Sequence, residues 1–138
     1  IAQRIPDTST IKVWGYGDST AMLVGADETV KLLTKDHEVA RNLPFQISHD
    51  ELGNDLKVDE IFSYSGQYVP GDTLMVMSDG VSDNVWARTL ARMKSARQIV
   101  SLALKNANDP HVHVPYNRVD KGERGGKMDD MSCVVVQL

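Results

Sequence analysis

Four aspartates stand where a carboxylate could do chemistry: Asp18 in Gly17-Asp18-Ser19, Asp79 and Asp83 in Ser78-Asp79-Gly80-Val81-Ser82-Asp83, and Asp129 in Met128-Asp129-Asp130. Sites built from carboxylates alone suit hard cations such as Mg²⁺ or Mn²⁺, which prefer oxygen ligands and keep several waters, whereas Zn²⁺ usually recruits His or Cys. Taken singly, each has an ordinary structural explanation. Asp79-Gly80 is a turn signal, Asp83 can cap the helix that follows, and Asp18 can be a hairpin residue. Their joint placement is what bears on function.

The elements around them are legible from apolar patterning. Ile11–Tyr16 alternates weakly, ends in Gly17-Asp18-Ser19 and is followed at once by Ala21-Met22-Leu23-Val24, which reads as a hairpin. Thr29–Leu33 follows after the Gly25-Ala26-Asp27 turn, making the opening a short β-meander. Residues 34–56 are polar and irregular, interrupted by Leu43-Pro44-Phe45-Gln46-Ile47, and read mostly as loop. Glu60–Ser65 is a strand, Pro70-Gly71-Asp72 a turn, and the apolar run Leu74-Met75-Val76-Met77 a central, buried strand. Apolar residues from Val85 to Leu104 recur at helical spacing, with Ser95 as an N-cap, so one or two helices are expected before Asn108. Asp109–Gly126 is loop-like, and Met131–Leu138 is a closing strand rich in β-branched residues. Strands, then helix, then a returning strand predict an α+β fold with helices on one face of a largely antiparallel sheet. In such a sheet the exit of one strand lies beside the entry of the next. Asp18, Asp79 and Asp129 are therefore expected to meet at one sheet edge.

Three of these segments carry a family resemblance. Gly71-Asp72-Thr73-Leu74-Met75-Val76-Met77-Ser78-Asp79-Gly80-Val81-Ser82-Asp83-Asn84 resembles the segment of the type 2C, metal-dependent protein serine/threonine phosphatases in which a strand delivers a metal-binding Asp, with a second Asp four residues on. Gly125-Gly126-Lys127-Met128-Asp129-Asp130 followed by Met131–Val136 resembles the family's closing motif, and Gly17-Asp18-Ser19 its hairpin motif. Leu43–Ser48 and Gly125-Gly126-Lys127 are most similar to a divergent branch with mitochondrial members. The resemblance implies part of a four-layer α-β-β-α sandwich with largely antiparallel sheets, Mn²⁺ or Mg²⁺ as cofactor, and a phosphorylated protein as substrate. It implies that Asp79 and Asp129 bind one ion of a catalytic pair, that Asp18 and Asp83 form a weaker accessory site with Asp79, and that Asp130 is a neighbour. The family's Asp-Gly-x-Gly-Gly segment, an upstream Glu, and the Arg and His that handle the phosphate have no counterpart here. The chain is thus expected to be the C-terminal portion of one catalytic domain, needing an N-terminal half that carries the catalytic residues. The alternative is a pseudophosphatase or structural subunit that keeps the fold and binds without turnover.

Composition narrows the remaining classes. The 138 residues suffice for one core, and a formal charge of −4 with pI near 5.5 argues against a phosphate-backbone binder, so no nucleic-acid partner is expected. No run approaches the roughly 20 apolar residues of a membrane span, and the chain reads as soluble. The lone Cys133 has no intrachain partner, packs as a small hydrophobe and fits an intracellular setting. His111 and His113 read as solvated loop residues, His37 and His49 lack a catalytic partner, and Trp14 and Trp86 read as core. Lys121, Arg124 and Lys127, among glycines, read as a solvated turn without a role.

Overall fold

A computed structural model describes residues 1–6, 8–34, 38–40, 43–45, 61–117 and 123–138. The expectations placed on His37, His49, Gln46, Ile47 and Lys121 lie outside these residues. The strands are β1 (Ala2–Ile5), β2 (Thr10–Gly15), β3 (Thr20–Val24), β4 (Val30–Leu33), β5 (Glu38–Ala40), β6 (Leu43–Pro44), β7 (Phe62–Gln67), β8 (Thr73–Met77) and β9 (Cys133–Gln137). The helices are α1 (Asp79–Ser82), α2 (Ala87–Leu90) and α3 (Ala96–Ala107), with a 3₁₀ turn at Pro115–Asn117.

Two antiparallel sheets carry the fold, ordered β1-β2-β7 and β4-β3-β8-β9, with β5 and β6 as a separate pair. All five residues of β3 are buried because its two faces serve two cores. Ala21 and Leu23 join Ile11, Val13, Leu32, Tyr68 and Leu74 between the sheets. Met22 and Val24 join Met75, Met77, Val81, Val85, Leu90, Ile99 and Ala103 beneath the helices. The strand β8 splits the same way, Leu74 inward to the sheet-sheet core and Met75 and Met77 outward to the helices. A continuous apolar run thus marks a strand covered on both sides, and each such side chain contributes about 1.5–3 kcal/mol on burial. The described residues form three layers, sheet on sheet on helix. This is the α+β arrangement of largely antiparallel sheets expected from the sequence.

The helix α3 starts where the sequence placed it. Ser95 is extended and its hydroxyl accepts the Gln98 N–H at 3.4 Å, an N-cap. Ile99, Ala103 and Ala107 form its buried face.

Three expectations are corrected. The strands β2 and β3 are not a hairpin: β2 pairs with β1 and β7, whereas β3 pairs with β4 and β8. Gly17, at φ +83°, and Asp18-Ser19 carry the chain from one sheet to the other, so the opening is not a meander. Turn chemistry signals reversal but not which strand becomes the partner. Secondly, β1 precedes the expected first strand, and β7 lies two residues later than Glu60–Ser65. Thirdly, Asp79 itself opens a one-turn helix, so Asp83 closes α1 as its C-cap instead of capping a later helix.

Candidate metal centre

The register brings the aspartates together. Met77 at the exit of β8 is opposite both Thr20, at the entry of β3, and Cys133, at the entry of β9. Asp18, Asp79 and Asp129 stand just outside these positions, at one end of the four-stranded sheet, as the antiparallel argument requires. Ser78 laces the exit of β8 to the approach of β9. Its hydroxyl donates to the Asp130 carbonyl at 3.0 Å and accepts the Ser132 N–H at 3.0 Å, and its own N–H donates to the Ser132 carbonyl at 3.1 Å.

Gly80 permits this close approach. A Cβ there would stand 2.4 Å from the Asp130 carbonyl oxygen and 3.1 Å from the Asp129 Cβ. The Asp-Gly pair is therefore more than a turn signal: the Asp supplies the carboxylate and the Gly the room for the segment carrying Asp129.

Each carboxylate is oriented by its surroundings. Asp79 Oδ1 accepts the Gly80 N–H at 2.8 Å, and Asp129 Oδ1 accepts the Asp130 N–H at 2.8 Å. That leaves the Oδ2 atoms facing inward. Asp83, one helical turn after Asp79, lies on the same face of α1. All three Oδ2 atoms converge on one cation, the ammonium of Lys127, at 2.7 Å from Asp79, 2.8 Å from Asp83 and 3.2 Å from Asp129. Asp18 lies within electrostatic reach of Asp79, Asp83 and Lys127.

Their protonation follows from this crowding. Burial and then the neighbouring Asp79 charge push the Asp18 carboxyl above its ordinary value. The Asp130 N–H and then Lys127 hold the Asp129 carboxyl below its ordinary value. Burial works against the Lys127 ammonium, but Asp79 and Asp83 outweigh it and raise its pKa.

Lys127 is the neighbour of these carboxylates to which the sequence alone assigned no role, and Asn84 is the residue that places it. Asn84 is fully buried, accepts the Lys127 N–H through Oδ1 at 3.0 Å, and donates through Nδ2 to the carbonyls of Lys127 (2.7 Å) and Gly80 (2.8 Å). Its own carbonyl accepts Asn106 Nδ2 at 2.8 Å. Asn84 and Lys127 both stand in the segments that carry the family resemblance, but a polar residue directly after Asp83 and a lysine after two glycines read equally well as turns.

The donor set has the chemistry of a hard-cation site, all oxygen and all carboxylate. Its spacing is set around an ammonium: among the described residues no three His, Cys, Asp or Glu side chains are grouped as they stand to hold a metal ion. Charge and ligand type therefore fit Mn²⁺ or Mg²⁺, and the arrangement fits Lys127.

The other singled-out residues stay apart from this cluster. His111 and His113 are exposed, the latter stacked on Trp86 with centroids 5.4 Å apart. Trp86 is half-buried and donates to the His113 carbonyl at 3.0 Å, so it braces this loop. Trp14 lines a largely apolar cavity of about 380 Å³ with Val13, Tyr16, Thr20, Ala21 and Val76. Both depart from the expectation of core tryptophans. Cys133 packs beneath the helices beside Val135. No helix among the described residues is long and apolar enough to cross a membrane.

No family profile and no curated protein matches the sequence. Solved structures do match. The photosystem II phosphatase PBCP superposes with a TM-score of 0.84 at 21% identity, covering 95% of this chain and 60% of that one. PppA, a regulatory component of the type VI secretion system of Pseudomonas aeruginosa, gives 0.61 at 16%, covering 94% and 52%. The Mycobacterium tuberculosis serine/threonine phosphatase PstP gives 0.59 at 19%, covering 94% and 55%. The chain spans between about half and three fifths of the length of these structures. The two sheets and the helices laid against one of them are thus a fold this chain shares with these structures.

Proposed function

We propose that this chain carries a metal-holding part of a protein serine/threonine phosphatase that hydrolyses phosphoserine and phosphothreonine esters. The observation that carries the reading is the convergence of Asp79, Asp83 and Asp129, with Asp18 beside them, at one sheet end in a fold similar to that of PBCP and PstP. Asp79 and Asp129 would hold one ion, and Asp18 and Asp83, with Asp79, an accessory one. When bound, Mn²⁺ or Mg²⁺ supplies the acidity that turns a water into a nucleophile at neutral pH. The chain's own contribution is placement. Gly80 admits the Asp129 segment, Ser78 ties it to the exit of β8, and the backbone N–H groups of Gly80 and Asp130 fix which oxygen of each carboxylate points inward. The complete catalytic unit would include residues beyond these 138 that bridge the ions and meet the substrate phosphate.

The test is hydrolysis of a phosphopeptide by the complete gene product with Mn²⁺. Asp79→Asn is expected to lower kcat/KM by about a hundredfold, the upper end of the loss when even a supporting partner of a metal ligand is removed. Full activity in that variant would sink the assignment.

One observation favours a second reading, a pseudophosphatase that binds a partner without turnover: the ammonium of Lys127 stands among the carboxylates. An intact Asp-Gly-x-Gly-Gly segment in the complete gene product would favour the enzyme, and its loss the binding module.

A further inference from the structure

Lys127 reaches the carboxylates from a loop fixed at its backbone, not from a free arm. Asn84 holds both polar groups of the Lys127 peptide. Gly126 sits so close to the end of α3 that a Cβ would stand 2.2 Å from the Asn106 carbonyl oxygen, and Gly125 takes φ +102°. The ammonium lies 5.7 Å from the centre of the Tyr116 ring, and the side chain is only 14% exposed. A lysine free to be solvated gives up rotamer entropy to lie there. The three carboxylates compensate it, and it relieves their mutual repulsion.

We infer that Lys127 is a resident cation of this centre: its ammonium occupies the position a divalent ion would take among Asp79, Asp83 and Asp129, and metal binds only by displacing it. This rests on reading those aspartates as metal ligands. The exchange is mechanically simple, because the four-carbon stem can swing its head outward while Asn84 keeps the loop in place. The consequence is a raised metal threshold. Without metal the centre is closed and its negative charge is partly offset; with it, the lysine is released to the surface.

The test is Mn²⁺ titration of the complete protein by calorimetry, comparing wild type with Lys127→Met and Lys127→Arg. Charge-assisted hydrogen bonds that must be broken before metal enters weaken it by about ten- to a hundredfold. Lys127→Met, similar in length but uncharged, is expected to bind Mn²⁺ tighter by that factor, while Lys127→Arg stays near wild type. Equal affinity in wild type and Lys127→Met, weaker binding in Lys127→Met, or no binding by either overturns the inference. A second measurement needs no variant: in wild type the Lys127 ε-methylene resonance should shift as diamagnetic Mg²⁺ is added, and its staying fixed at saturation also overturns it. Loss of phosphatase activity in Asp79→Asn bears on the catalytic reading and is independent of these results. The two ideas can therefore fail separately.

Discussion

At the scale of single residues, Asp72 and Asp18 are carboxylates of opposite character. Asp72, just before β8, has a fully buried side chain, and both its oxygens accept Lys31 Nζ, at 2.8 and 2.7 Å, while Oδ2 also accepts the Val69 N–H at 3.0 Å. Burial alone would raise its pKa, but Lys31 and the Val69 N–H outweigh it and hold the carboxyl below its ordinary value of 3.8. A depressed folded pKa means stability that is present above the unfolded value and lost as pH falls through the folded one. Asp72 should therefore contribute fully at pH 7 and fail only below about pH 4. Asp18, whose carboxyl is raised, has the opposite sign and favours the folded chain when protonated. Urea melts of Asp72→Asn should show a loss of about 2 kcal/mol at pH 7 that shrinks at pH 3, since a hydrogen-bonded charge contributes about 1.5–3 kcal/mol. An undiminished difference at pH 3 would remove Asp72 as the cause. The gathering of Asp18, Asp79 and Asp129 at one sheet end was legible because antiparallel order sets the exit of one strand beside the entry of the next. Lys127 and Asn84 were not, because a lysine after two glycines and an asparagine after an aspartate are what solvated turns contain, and only the folded backbone aims them inward.

At the scale of elements, the contact of α1 with the approach to β9 sets two rules against each other. Alanine is favoured over glycine inside a helix by about 1 kcal/mol, so propensity alone makes Gly80→Ala stabilising. The Cβ would meet a backbone oxygen at 2.4 Å, which cannot yield as a flexible side chain would. Overpacking of this kind costs typically about 1–3 kcal/mol. Sterics should win: Gly80→Ala is expected to lower Tm and to speed amide exchange at Ser78 and Ser132, and a raised Tm would refute the close approach. The elements that sequence reading placed best were β3, β8 and α3, where packing on two faces or helical spacing plus a capping serine leaves a strong pattern. The connection from β2 to β3 went wrong because Gly17-Asp18-Ser19 looks the same whether the chain doubles back or changes sheet. The strand β1, short and half polar, left no pattern at all.

At the scale of the whole molecule, the sandwich leaves β9 at the end of its sheet among the described residues, with Val134 and Val136 at 59% and 42% exposure. The strand β8 by contrast is central, and Leu74, Met75 and Met77 are buried, as expected of that apolar run. The change of sheet between β2 and β3 has a consequence in time. Ala2–Gly15 and Thr20–Leu33 can each close as a local hairpin, β1 on β2 and β3 on β4. Their remaining partners lie far along the chain, Thr10 opposite Gln67 and Thr20 opposite Met77, and the single short link of Tyr68–Asp72 joins the strands that must dock on both. Non-local pairing of this kind is slow, in the range of milliseconds to seconds, because loop entropy is lost before contacts compensate. Pulse-labelled exchange during refolding should find Ile11–Val13 and Met22–Leu23 protected before Thr73–Met77, and the reverse order would contradict this. Asp79 emerges from the last of these strands to dock, so a chain halted midway through folding owns both of these hairpins while its carboxylates are still apart.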